Sequence, residues 1–316
     1  MRLLRPSTPF DGFSYYGASG YIDPPYDYWD CVTNVLVTPP GFARHDLGAT
    51  SEFVSTIDPA WGFEGARMYG YSYGDMTTKP CIHLQGGIHG SHEWGTVHLV
   101  QEFANMLGNP SSYAQEDVIN ELKGVFDFFI IPSVNPWGYH RRYHRTTAPS
   151  DAPSAYGNAN GVDANYNFGN QEMWNNYGDG SAPFSEPESQ IIRDVVEAYE
   201  PLALFDIHAH VAPGMRTLNE SNVNPNDTPM LQNNVDSYLA AANPKGVENR
   251  AVRTIFPTAP QWANTLTNKH SRSIIGIDVE TTYEYTDIYT SRLFTNYIFI
   301  VCYNLMVWFQ DGRLFS

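Results

Sequence analysis

Two short stretches of this sequence hold the residue types from which a metal site is built. The first, Gly86-Gly87-Ile88-His89-Gly90-Ser91-His92-Glu93-Trp94, follows an apolar run, turns on glycines and delivers imidazole and carboxylate where a helical pattern begins. The second, Asp206-Ile207-His208-Ala209-His210, closes another apolar run. Imidazole nitrogen and carboxylate oxygen together suit a borderline ion such as Zn²⁺, and two His plus one Glu with water in the fourth position make a catalytic zinc site. The chain has ten histidines, so chance pairs are expected, and the residues alone leave two readings open: a metal site, or surface and satisfied core histidines.

Further segments follow in order. They are Asn135-Pro136-Trp137-Gly138-Tyr139, Arg142-Tyr143-His144-Arg145, Gly161-Val162-Asp163-Ala164-Asn165-Tyr166-Asn167-Phe168, Phe184-Ser185-Glu186-Pro187-Glu188, and Glu280 at the end of an apolar strand. Together with His89, Glu93-Trp94 and His208, their order and spacing resemble the zinc carboxypeptidases. The resemblance implies one Zn²⁺ held by His89, Glu93 and His208, with Glu280 as general base and Arg145 stabilising charge on the carbonyl oxygen. It also implies Arg142, Asn165 and Tyr166 at the substrate and Asp163 orienting a zinc histidine. The implied activity is zinc-dependent hydrolysis of peptide or other small amide bonds. The alternatives are a cell-wall peptide or N-acyl amino acid amidohydrolase, and a catalytically silent binding protein on the same fold.

Three departures from that pattern stand out. The family usually places its ligand glutamate three residues after the first histidine. Here His92 stands third and Glu93 fourth; Trp94 favours Glu93, with His92 as the alternative ligand. Tyr166 stands where members that clip free C-termini carry an arginine, and a phenol cannot form the bidentate charged fork that grips a carboxylate. Arg141, Arg142 and Arg272 are the candidate replacements. The family's tyrosine upstream of the catalytic glutamate has no counterpart, since no Tyr occurs between Asn249 and Gly276. Tyr283 and Tyr285 read as loop residues. Glu186 and Glu188 read as acidic residues favouring the amides of a helix start, and His210 as a neighbour of the pocket.

Elements must carry these residues to one place. Strands are predicted at 66–73, 81–85, 125–131, 202–207, 251–256 and 274–279, and helices at 26–37, 93–107, 115–122, 188–200, 228–242 and 291–309. Residues 140–183, poor in periodicity, read as one long functional loop. Alternating strands and helices imply an α/β fold: a central mixed, largely parallel sheet with helices on both faces. Sites in such folds form beyond the carboxyl ends of strands, where the His89, His208 and Glu280 motifs fall. The whole chain, 1–316, reads as one catalytic domain with 1–25 as an irregular extension.

Composition narrows the partners. The net charge is -16, with 18 Lys and Arg against 34 Asp and Glu, which disfavours nucleic acid. The apolar stretch 293–309 carries Asn296, Tyr297, Tyr303 and Asn304 and reads as a buried terminal helix, not a membrane span. The first residues lack the apolar run of a signal peptide, which implies a cytoplasmic protein by default. Cys31, Cys81 and Cys302 are too scattered for a disulfide framework or a thiolate metal site. Oligomeric state has no signature in the sequence.

Overall fold

The computed structural model describes residues 41–51, 67–90, 93, 95–113, 116–141, 156–210, 218–220, 248–250 and 256–282, together with 302, 305, 306 and 310. Eight strands among them form one mixed sheet. They are β1 (Phe42–Ala49), β2 (Arg67–Tyr73), β3 (Cys81–Gly86), β4 (Asp127–Ile131), β5 (Ala203–His210), β6 (Leu218–Glu220), β7 (Glu248–Arg250) and β8 (Ile275–Thr282), in spatial order β1-β2-β4-β3-β5-β8-β6-β7. The central run β4-β3-β5-β8 is parallel, while β1, β2 and β6 pair antiparallel at its flanks. β3 and β4 are buried along their whole length, as strands covered on both faces must be.

Side-chain alternation divides the core into two layers. On one face, α1 (Gly95–Gly108) lays fully buried Val97, Val100, Phe103 and Leu107 against Phe128 and its neighbours, with the Phe103 and Phe128 rings 5.8 Å apart. α2 (Glu116–Val125) follows and buries Ile119 and Leu122. On the other face, Cys81, Phe129, Ile131 and Leu204 pack with Ile192, Val195 and Val196 of α5 (Pro187–Tyr199) and with Ala259, Trp262 and Ala263 of α6 (Ala259–Ala263). Two shorter helices, α3 (Pro136–Arg141) and α4 (Gln171–Tyr177), lie between β4 and α5 in the chain.

The predicted α/β class and mixed sheet agree with the structure, and the details differ where local signals were weak. Residues 140–183 are not one loop: they hold the end of α3, a 3-10 turn at Ala164–Tyr166 and α4, whose start is capped by Asn170 Oδ1 accepting from the Met173 N–H. β1 was not expected, because an edge strand reading Phe-Ala-Arg-His-Asp-Leu-Gly-Ala is mostly solvent-facing and carries charges instead of a clean alternation. β6 and β7, three residues each, are likewise additions to the expected set. The helices expected at 26–37 and 228–242 lie outside the described residues, as does the strand expected at 251–256 except for Phe256, which is irregular. Of the terminal helix, Cys302, Leu305 and Met306 are helical and buried. Among the described residues no helix is long and apolar enough to cross a membrane, and Cys81 and Cys302 are buried free thiols.

Candidate metal centre

β3 ends at Gly86, and the chain then turns sharply. Gly87 has φ of 69°, and a Cβ there would sit 2.7 Å from Val97 Cγ2. Gly87 N–H donates to Thr96 Oγ1 (2.8 Å), Thr96 Oγ1 donates to the Glu93 carbonyl (2.7 Å), and Glu93 N–H donates to the His89 carbonyl (2.8 Å). The last bond draws Glu93 back to His89, two residues before α1 begins. Residues four apart on such a turn share a face, so the four-residue spacing is absorbed without displacing the glutamate. Gly90 lies against the start of α3, where a Cβ would come within 2.4 Å of the Asn135 carbonyl oxygen.

β5 brings His208 from the neighbouring strand. His89 Nδ1 lies 2.8 Å from Glu93 Oε1, and His208 Nδ1 lies 3.1 Å from Glu93 Oε2. The two imidazole rings meet edge-on, 5.1 Å between centroids. All three residues are buried, at 7%, 5% and 3% exposure. Asp163 Oδ1 accepts from His89 Nε2 at 3.0 Å and also from the Asn165 N–H. Burial opposes a charge on His89, but the Glu93 and Asp163 carboxylates prevail and raise its pKa to about 10. Burial likewise opposes ionisation of Glu93, and the two imidazoles overcome it, holding its carboxyl well below the usual range. His208 is raised in the same way, against burial, by Asp206 and Glu93.

The donor set fits a zinc ion. One oxygen or nitrogen atom from each of His89, Glu93 and His208 lies within 4.8 Å of the others. Tetrahedral zinc with bonds of about 2.0–2.2 Å sets its ligands about 3.3–3.6 Å apart, so the 2.8 and 3.1 Å gaps from His89 and His208 to Glu93 would open by about 0.2–0.8 Å to admit the ion. Both Nδ1 atoms face the carboxylate, so one ion between them would replace the protons that now join the three groups.

Other expected site residues are placed unevenly. Asn165 is buried, and its Oδ1 has no hydrogen-bond partner among the described residues. The ring of Tyr166 packs 6.2 Å from that of Phe256, which in turn lies 4.8 Å from Tyr177. Glu280 occupies the register position opposite His208 on β8; its side chain, like those of Arg141 and His210, lies outside the described residues, as do His92, Arg142 and Arg145. Arg272 does not replace the missing clamp. It precedes the amino end of β8, and the stretch from Ile275 to Glu280 alone spans roughly 17 Å of strand.

Glu186 and Glu188 lie at the start of α5, as expected, and also tie other segments to it. Glu186, the residue before α5, makes no side-chain capping bond. Its carboxylate accepts from Asn158 and Asn160, and Glu188 accepts from Ser51 and Asn158, so the pair ties the 156–162 segment and the end of β1 to the helix. Sequence reasoning missed Tyr156, 40% exposed with its ring edge-on to His89 at 5.2 Å, and missed buried Asp278; it named Asp206 in the His208 motif without giving it a role. Parity along β5 is a signal that could have found Asp206, two residues before the histidine.

Comparison with known proteins agrees with this geometry. Residues 46–286 match the family model described as zinc carboxypeptidase. Carboxypeptidase B of Helicoverpa zea is 31% identical over 137 residues, which is 38% of this chain and 30% of that relative, so less than a third of the relative's length is aligned. The crystal structure of thrombin activatable fibrinolysis inhibitor superposes with a TM-score of 0.67 at 15% identity, covering 95% of this chain and 79% of its own. A metallo-carboxypeptidase from Burkholderia cenocepacia gives 0.61 at 15% identity, covering 90% and 68%; at these identities the likeness is one of fold. Because the family match runs from within β1 to beyond β8 and takes in His89, Glu93 and His208, the chain belongs to the zinc carboxypeptidase family.

Proposed function

We propose that this protein is a zinc-dependent hydrolase of peptide or other small amide bonds, working in the manner of a carboxypeptidase. The observation that carries this reading is the buried convergence of His89, Glu93 and His208 at the carboxyl ends of β3 and β5, with Glu280 in register opposite His208. Those three side chains would hold a zinc ion, which would supply the Lewis acid for activating water and polarising the scissile carbonyl. Glu280 takes the proton from the attacking water and returns it to the leaving nitrogen, as a general base and then acid. Arg145 stabilises the negative charge that grows on the carbonyl oxygen, and Arg142, Asn165 and Tyr166 hold the substrate. Asp163 orients His89 through Nε2.

Tyr166 favours a substrate gripped by something other than its carboxylate. Its ring sits among Phe256 and Tyr177, an aromatic surface suited to apolar or ring-bearing groups. The test is to incubate zinc-loaded protein with free, C-terminally amidated and N-acylated peptides, cell-wall stem peptides included, and read every cleaved bond by mass spectrometry against a chelated control. Zinc-dependent cleavage of amidated as well as free peptides is expected. Loss of C-terminal residues from free peptides alone would show that a carboxylate clamp operates despite Tyr166. No cleavage at all with zinc bound would make the protein a binding module on this fold.

A further inference from the structure

Behind His208, on the side away from Glu93, the sheet carries a second group of buried donors. Asp206 stands two residues before His208 on β5, so both side chains leave the same face of the strand. Asp206 Oδ2 lies 3.4 Å from His208 Nε2. Asp206 is 0% exposed, and neither of its carboxylate oxygens nor His208 Nε2 has a hydrogen-bond partner among the described residues. On β8 Asp278 is in register with Asp206 and completes a cluster with it and His208.

We infer that Asp206 is a positioning residue for the metal centre: it accepts the Nε2–H of His208 and thereby aims Nδ1 at the ion. The inference rests on the reading that His89, Glu93 and His208 hold zinc. An imidazole that gives its Nδ1 lone pair to a metal must carry its proton on Nε2, where it is a donor only. A buried donor without an acceptor, and a buried carboxylate without a donor, are both costly. Each of these groups is the other's nearest complement, and a contact of 3.4 Å needs to close by only about half an ångström to become an ordinary N–H···O bond. His89 has the same arrangement, with Glu93 at Nδ1 and Asp163 at Nε2. The two imidazoles are thus each braced from behind by a carboxylate, one from the 3-10 turn and one from the ligand's own strand. Such bracing fixes the tautomer and the ring angle and raises ligand basicity, and its loss typically costs 10–100-fold in metal affinity.

The test measures zinc stoichiometry and zinc affinity, by competition with a chromophoric chelator, for the wild-type chain, Asp206→Asn and Asp206→Ala. It adds the visible absorption spectrum of the cobalt-substituted forms and the melting temperature of the metal-free forms. One zinc per wild-type chain is expected. Both variants should bind it about 10–100-fold more weakly and shift the cobalt bands, while the metal-free Asp206→Asn chain melts no lower than wild type. That combination separates bracing of the ligand from general support of the fold. Wild-type zinc affinity in Asp206→Ala would overturn the assignment, as would two zinc equivalents per wild-type chain, which would make Asp206, His208 and Asp278 a second metal site. A wild-type chain that binds no zinc would instead overturn the reading of the centre itself.

Discussion

At the residue scale, the first test falls on Glu280. Replacing it by Gln keeps the shape and removes the base, so turnover should fall by about 10²–10⁴ while zinc content stays at that of wild type. Retained turnover would remove Glu280 from the mechanism, and lost zinc would point to a ligand role instead. The charges at the centre give a second prediction. His89 in the metal-free chain has its pKa raised to about 10 against an ordinary value near 6.5, and His208 is raised too. At neutral pH both imidazoles therefore hold protons that zinc must displace, and apparent zinc affinity should rise about tenfold to a hundredfold per pH unit between pH 6 and 8, for one or two protons expelled. Calorimetry in buffers of differing ionisation enthalpy counts those protons, and affinity that ignores pH would contradict the charge assignment. The sign for the metal-free fold is opposite. The stability that His89 gains from its carboxylates is fully present below about pH 6.5 and is lost as pH rises through about 10.

At the element scale, the site depends on how closely three segments approach. Gly90 packs closely against the start of α3. Gly90→Ala forces a methyl to within 2.4 Å of the Asn135 carbonyl oxygen, and overpacking of this kind costs about 1–3 kcal/mol. Chemical denaturation should show that loss together with weaker zinc binding, because the backbone that yields is the one carrying His89. An unchanged denaturation midpoint would mean that the turn can shift freely. Much of this scaffold was legible in the sequence, and for a physical reason. β3 and β4 are continuous apolar runs because both faces are covered, and α1 shows a helical stripe because only one of its faces meets the sheet. β1 was not legible, since an edge strand owes its place to pairing with β2 and not to its own pattern. The three donors were legible through the order of motifs that resembles the zinc carboxypeptidases, not through residue type alone. Asp206 stands in the second motif, and strand parity puts it on the face of His208, whereas Asp278 gains meaning only once the pairing of β5 with β8 is known.

At the scale of the whole molecule, the question is whether zinc builds the fold or occupies it. Small zinc domains unfold without their metal because they lack a core of their own. Here the ligands stand at the ends of strands whose buried residues form a core on both faces of an eight-stranded sheet. The two groups of acidic and basic side chains at the centre can also pair with one another through protons when no ion is present. The chelated protein should therefore keep its secondary structure and unfold in one cooperative step. Zinc should add stability only by mass action, about 2.7 kcal/mol at a free concentration 100 times its Kd. For a chain of 316 residues, at the low end of the sensitivity for large domains, this amounts to a rise in Tm of about 5 °C. Circular dichroism of the chelated and reloaded protein, followed by thermal scans over a zinc titration, gives both numbers. A Tm that climbs with the logarithm of zinc concentration over an unchanged spectrum places the ion in a preformed site. Collapse of the spectrum on chelation would mean that β5 and β8 are held at their carboxyl ends by the metal, and that the centre is as much a structural joint as a place for chemistry.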